Sequence, residues 1–199
     1  MFWKKKQFKS SFLLVCSALK DKTKDDDTLD VVFFAQMMFD LVLSFTVNNS
    51  VFKKFFKKLI FRDGVYFELL CYVYYVLASA DEIEEDEYNG LVDDYLELFM
   101  IAFKQYGNTA EIMKLVNMRV VSYSKCRKVN DYAKILYSLI ANSSKKDGLY
   151  CVDEIVDIGQ IVDDKMFRSV LDYVNYVDNT AIDIAKKYIE LKAEELCEE

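Results

Sequence analysis

Apolar residues recur along most of this chain at the three- and four-residue spacing of α-helices. The 199 residues include no proline and only five glycines, so little forces a helix to break and few turn residues are available for a sandwich or barrel. The sequence predicts an all-α, single-domain helical bundle of about eight to ten helices. The predicted segments are 2–20, 28–47, 51–61, 65–80, 88–106, 110–124, 130–142, a short helix ending at 158, 163–177 and 181–196.

Two of these segments have distinctive faces. Segment 28–47 is apolar nearly all round, which predicts a central helix. In segment 51–61, apolar and basic pairs alternate with a period near four, which predicts a helix with an aromatic face opposite a lysine face. Ser50 is predicted to cap the N-terminus of this helix. The lysines of that face are Lys53, Lys54, Lys57 and Lys58. They could contact anionic lipid or an acidic partner protein, or they could simply be solvated above a buried aromatic stripe.

Charge is divided unevenly along the chain. Residues 1–62 carry a balance of +6 and residues 63–199 a balance of −13. No linker separates them, so we expect one domain over 1–199, with basic N-terminal helices (1–64), a helical core (65–176) and a C-terminal acidic helix (177–199). The asymmetry indicates an anionic contact for the N-terminal third. Nucleic acid is disfavoured as a partner, because the chain is acidic overall and carries no known binding motif.

One unit occurs twice: an apolar helix, a short acid-rich turn and a second apolar helix. The first acidic segment is 81–87. The second consists of the turn 143–148 and the start of the apolar helix that follows it, 151–156. The repeat predicts two related helical hairpins.

Acid-rich turns suit hard cations, since Ca²⁺ and Mg²⁺ prefer oxygen ligands. The candidate metal ligands are Asp81, Asp86 and Glu87 in the first segment, and Asp147, Asp153 and Glu154 in the second. Neither segment has the spacing of an EF-hand calcium loop. The alternative is that these acids cap helix N-termini, where the helix macrodipole favours negative charge.

These segments resemble the paired signatures of the TerB-like (tellurite-resistance) domain, of the form A-D-G-x-I-x-x-x-E. Ala80-Asp81-Glu82-Ile83 followed by Asp86-Glu87 is similar to one copy without its glycine, and Asp147-Gly148 followed by Asp153-Glu154 is similar to the other. The resemblance covers about residues 65–175 and continues through Gly159 into a following helix at 167–171.

The resemblance implies an all-helical, non-enzymatic, cytoplasmic stress-response module associated with membrane-bound partners. It also implies divalent-cation binding, with Asp81, Glu87, Asp147 and Glu154 as the carried-over residues.

The absence of several residue types and motifs argues against some classes of function. The chain has no histidine, no phosphate-binding glycine loop and no C-x-x-C pair, which argues against nucleophilic triads, nucleotide binding and zinc. An enzyme would have to use carboxylates in a pocket that raises their pKa. Five scattered cysteines indicate a reducing, cytoplasmic compartment. The apolar stretches 31–47 and 65–80 contain Asp40 and Glu68 and are short for membrane spans.

The sequence therefore favours a non-enzymatic interaction module that binds other proteins, with a Ca²⁺ or Mg²⁺ site at its acidic turns. The alternative function is docking on a membrane surface or a partner through the basic amphipathic N-terminal helices.

Overall fold

The structure, a computed structural model, describes residues 14–18, 31–58, 63–80, 86–143, 149 and 163–198. This part of the chain is 92% helical and contains no strand, which confirms the all-α prediction. Besides a short helical stretch at residues 14–18, the helices are α1 (Val31–Asn48), α2 (Ser50–Lys58), α3 (Asp63–Ala78), α4 (Asp86–Phe103), α5 (Thr109–Ser124), α6 (Val129–Ser143) and α7 (Asp164–Glu198). A single 3₁₀ turn, Lys104–Tyr106, follows α4.

Helix α3 lies at the centre of the bundle. Thirteen of its sixteen residues are buried, and it packs against α1, α4, α5, α6 and α7. The prediction that segment 28–47 forms the central helix is therefore wrong, although α1 also packs against four helices. Near its C-terminus α1 leaves Ser44, Val47 and Asn48 exposed. Helix α3 is buried along most of its length, and its polar side chains Asp63 and Glu68 have hydrogen-bond partners inside the protein.

The C-terminal helix is continuous, which corrects the prediction of two helices at 163–177 and 181–196. Asp178, Asn179 and Thr180 suggested a break because their side chains compete with helical hydrogen bonds. In α7, the Asp178 carboxylate instead accepts a hydrogen bond from the Tyr72 hydroxyl at 2.8 Å, and the Asn179 amide donates to the Asn175 carbonyl one turn earlier. Both polar side chains are satisfied without interrupting the 35-residue helix.

Two helix starts differ from the prediction. The side-chain oxygen of Asn49 accepts hydrogen bonds from the backbone N–H groups of Val51 and Phe52, so Asn49, and not Ser50, caps α2. Helix α3 begins at Asp63, whose carboxylate accepts a 2.7 Å hydrogen bond from the Tyr106 hydroxyl. The other described helix boundaries lie within a few residues of the predicted ones, as expected for frayed termini.

Candidate functional site

The acidic segments lie mostly outside the described residues. Asp81, Asp147, Asp153 and Glu154 fall in ranges that the structure does not describe, and Asp86 and Glu87 are the first two residues of α4, with side chains also outside the description. Within the described ranges, no group of three or more cysteine, aspartate or glutamate side chains could hold a metal ion. The predicted metal ligands remain a prediction.

The helices on either side of each acidic segment are described, and they pack against each other. Helices α3 and α4 flank residues 81–85, and the Tyr88 hydroxyl of α4 donates a 2.9 Å hydrogen bond to the Leu77 carbonyl of α3. Helices α6 and α7 flank the second segment, and the Asp163 backbone N–H donates to the Tyr137 hydroxyl at 3.1 Å. Each acidic segment thus lies, along the chain, between two described helices that pack against each other, while the predicted short helix ending at residue 158 lies outside the described residues.

Helix α2 separates its apolar and basic residues between the bundle and the solvent. Phe52 is fully buried, and its ring meets Phe45 edge to face at a centroid distance of 5.8 Å. Lys53 and Lys54 are exposed, and neither forms an ion pair within the part of the chain that the structure describes. Lys57 and Lys58 end the helix, but their side chains are not described. The described part of α2 thus has the two faces that the sequence predicted.

The most polar part of the core is a buried ion pair that the sequence did not predict. Arg119 of α5 donates two hydrogen bonds to the Glu68 carboxylate of α3, from Nε to Oε2 at 2.9 Å and from Nη2 to Oε1 at 2.7 Å. The Ser143 hydroxyl at the end of α6 adds a third, to Oε1 at 3.2 Å. The only signals for this network were a lone glutamate in an apolar run and a lone arginine within a helix.

Electrostatics around this pair keep Arg119 charged. Desolvation alone would lower the pKa of Arg119, but the Glu68 carboxylate outweighs it and raises the pKa above its usual range. Burial, with a further contribution from Glu68, raises the pKa of the Cys71 thiol well above its ordinary value, so this cysteine stays protonated and unreactive. The network therefore joins three helices and offers no nucleophile.

Tyrosines form a second polar region beside α3. The rings of Tyr72, Tyr75, Tyr123 and Tyr132 pack with centroid distances between 5.2 and 6.4 Å. Burial raises the pKa of Asp178 at its edge, an effect that the hydrogen bond from Tyr72 partly offsets. The Tyr123 hydroxyl is buried and has no hydrogen-bond partner among the described residues. The sequence indicated aromatic packing for these residues, but not this internal polar edge.

A partly open pocket lies between the end of α3 and the start of α4. It has a volume of about 300 Å³. Its lining includes Tyr74, Leu77, Ala78, Tyr88, Val92 and Asp93. Sequence reasoning missed this pocket, because its walls come from two helices whose contact the pattern alone could not place.

Comparisons with protein-family models, with curated proteins and with solved structures find no match to this chain. The resemblance to the TerB-like domain therefore stays a prediction. No helix in the described ranges combines the length and the apolar character needed to cross a membrane.

Proposed function

We propose that this protein is a non-enzymatic interaction module of the cytoplasm that binds an acidic surface of another protein through the basic face of α2, formed by Lys53, Lys54, Lys57 and Lys58. The observation that carries the proposal is the exposure of Lys53 and Lys54 on a helix that is anchored in the bundle by the buried Phe52. An anchored helix presents its charges in a fixed arrangement, which favours a specific partner.

The charges on this face are available to a partner. Lys53 and Lys54 have no ion-pair partner among the described residues, and residues 1–62 of the sequence carry a balance of +6. Complementary charge accelerates encounter and selects the partner, and its effect falls as salt screens it. Val47, three residues before the start of α2, is an apolar side chain that is 58% exposed.

A protein partner suits this geometry better than a membrane. Amphipathic helices bind membranes by burying their apolar face among the lipids. Here Phe52 of α2 is already buried inside the protein, so this ring cannot insert among lipids. Electrostatic attraction to anionic lipid remains the alternative, and it predicts binding to any sufficiently anionic vesicle.

The test compares two charge-reversal variants in capture from an extract of the native host, followed by quantitative mass spectrometry. Lys53→Glu with Lys54→Glu should lose the captured partner. The matched control, Lys187→Glu with Lys192→Glu on α7, changes the same net charge at exposed positions and should retain it. Equal loss in both variants contradicts the proposal, and flotation of the wild-type chain with anionic vesicles but no protein capture favours the membrane alternative.

We propose a second function for the acidic segments, namely binding of Ca²⁺ or Mg²⁺ as implied by the TerB-like resemblance, in a stress-response role. Its support is that each acidic segment lies, along the chain, between two described helices that pack against each other. A cation that binds only the folded state raises the melting temperature. Millimolar metal should therefore stabilise the wild-type chain against EDTA, and Asp147→Ala with Glu154→Ala should abolish the shift. Asp172→Ala, an exposed acid on α7, is the control and should keep it.

A further inference from the structure

We propose that the pocket between α3 and α4 binds an organic cation with an apolar stem, an alkylammonium or guanidinium group. This site is separate from the basic face of α2 and has the opposite charge preference. The pocket's volume of about 300 Å³ is at the small end for ligand sites, so it suits one compact group and not a large molecule.

The lining combines one carboxylate with aromatic and aliphatic walls. Asp93 supplies the carboxylate, the rings of Tyr74 and Tyr88 supply aromatic surface, and Leu77 and Val92 supply aliphatic surface. Aromatic rings attract ammonium and guanidinium groups through their negative faces, and a nearby carboxylate adds a charge-assisted contact. The described lining contains no basic residue that would compete for this carboxylate.

Two of the polar groups in the pocket are free to bind a ligand. Neither the Tyr74 hydroxyl nor the Asp93 carboxylate has a hydrogen-bond or ion-pair partner in the described part of the chain. By contrast, the Tyr88 hydroxyl is held by the Leu77 carbonyl, so its ring is fixed as part of the wall. A fixed aromatic wall beside unpartnered polar groups is a preorganised arrangement for a ligand.

The electrostatic surroundings favour positive charge. Helix α3 ends at this pocket with no basic residue in its last turn, and the C-terminal end of a helix carries partial negative charge.

A metal ion fits this pocket poorly. Hard cations need several oxygen ligands, whereas the described lining offers one carboxylate, the Asn89 amide and two tyrosine hydroxyls. In the part of the chain that the structure describes, no group of three or more cysteine, aspartate or glutamate side chains could hold a metal ion. The aromatic and aliphatic side chains of the lining instead favour a cation whose charged nitrogen group is attached to an organic stem. Such a group could be a free small amine or the lysine or arginine side chain of a partner protein.

The test is a titration followed by NMR, using the backbone amide signals of Leu77 and Val92. The probes are choline, its uncharged isostere 3,3-dimethyl-1-butanol, and a short peptide containing arginine. Choline or the peptide should shift these signals, and the isostere should not. Asp93→Asn should weaken the binding at least about tenfold, equivalent to about 1.4 kcal/mol. Its neighbour Asp94 is exposed but does not line the pocket, so Asp94→Asn should leave the binding unchanged.

The two tyrosine variants separate the ring from the hydroxyl. Tyr74→Ala should weaken binding because it removes an aromatic wall, while Tyr74→Phe should retain most of it. Binding by choline identifies a free amine as the ligand class, and binding by the peptide alone identifies a protein side chain; both support the site. Equal binding of the isostere, equal loss in Asp94→Asn, or no shift with any cationic probe at millimolar concentration overturns it. Because the basic face of α2 is not involved, these outcomes do not depend on the proposed partner.

Discussion

The Arg119 guanidinium donates two hydrogen bonds to the Glu68 carboxylate, one to each oxygen, and both side chains are at most 1% exposed. The pair connects α3 to α5, and Ser143 extends it to α6. A buried pair of this kind contributes to specificity as much as to stability, because the charges are satisfied in only one arrangement of the helices. It explains how the central helix α3 can carry a glutamate at a fully buried position.

Removing one partner of this pair should be strongly destabilising. Glu68→Gln leaves the Arg119 charge buried without a counter-ion, and we expect the free energy of unfolding to fall by about 3 to 5 kcal/mol in urea denaturation. Replacing the whole network, as Glu68→Leu with Arg119→Met and Ser143→Ala, should recover most of that loss because no unpaired polar group remains. A loss below about 1 kcal/mol in Glu68→Gln would contradict a buried ion pair.

Two buried tyrosines should respond differently to removal of the hydroxyl. Tyr173 donates a 2.8 Å hydrogen bond to the Leu69 carbonyl, so Tyr173→Phe should lower the free energy of unfolding by about 1 kcal/mol. The Tyr123 hydroxyl has no partner within the described residues, so Tyr123→Phe should leave stability unchanged or raise it by about 1 kcal/mol. Parallel urea titrations of the two variants measure the difference, and an equal loss in both would contradict the described geometry.

Stability should fall at alkaline pH. Burial raises the pKa of Tyr88 from an ordinary value of 10.0 to about 12. As the pH rises through this interval, the unfolded chain loses a proton that the folded chain keeps, so ionisation favours unfolding. Unfolding followed by circular dichroism at several pH values should show this decline. The free energy of unfolding should fall less steeply with pH in Tyr88→Phe, which has no phenol at this position. If the slope is unchanged, other groups cause the decline.

Ionisation of Asp178 should also lower the stability of the folded state as the pH rises, but in the acidic range. Burial raises the pKa of this carboxyl above its ordinary value of 3.8, so the folded state holds its proton to higher pH than the unfolded state does. Stability due to this group therefore falls as the pH rises through the interval between the two values. Asp178→Asn cannot titrate, yet it still accepts a hydrogen bond from Tyr72. Thermal melts should therefore show this variant gaining stability relative to the wild type as the pH rises through that interval. A relative loss over the same interval would contradict the assigned shift.

The sequence predicted the helices well because burial follows their 3.6-residue period. The two faces of α2, visible in the alternation of Phe52 with Lys53 and Lys54, were predicted for the same reason. The false break near Asp178 arose because its hydrogen-bond partner, Tyr72, lies 106 residues away. Local propensity does not register such a partner.

The candidate sites were harder to predict than the helices, because they depend on contacts between residues far apart in the sequence. The ion pair of Glu68 with Arg119 and the pocket containing Tyr74 and Asp93 each depend on contacts between different helices. A helical pattern shows which face of a helix is buried, but not which neighbouring helix covers it. The metal site at Asp147 and Glu154 stays a prediction, since it lies outside the described residues.

Site-specific photo-cross-linking in the native host tests the proposed interaction surface most directly. Ser50 is exposed and lies one helical turn before Lys53 and Lys54, so it shares their face. A photoreactive amino acid at position 50 should cross-link to a discrete protein partner, and Lys53→Glu with Lys54→Glu should abolish the product. The same group at Ser124, an exposed serine at the end of α5, should not form it. A product at position 124 but not at 50, or one that persists after charge reversal, would contradict the assignment of the basic face as the docking surface.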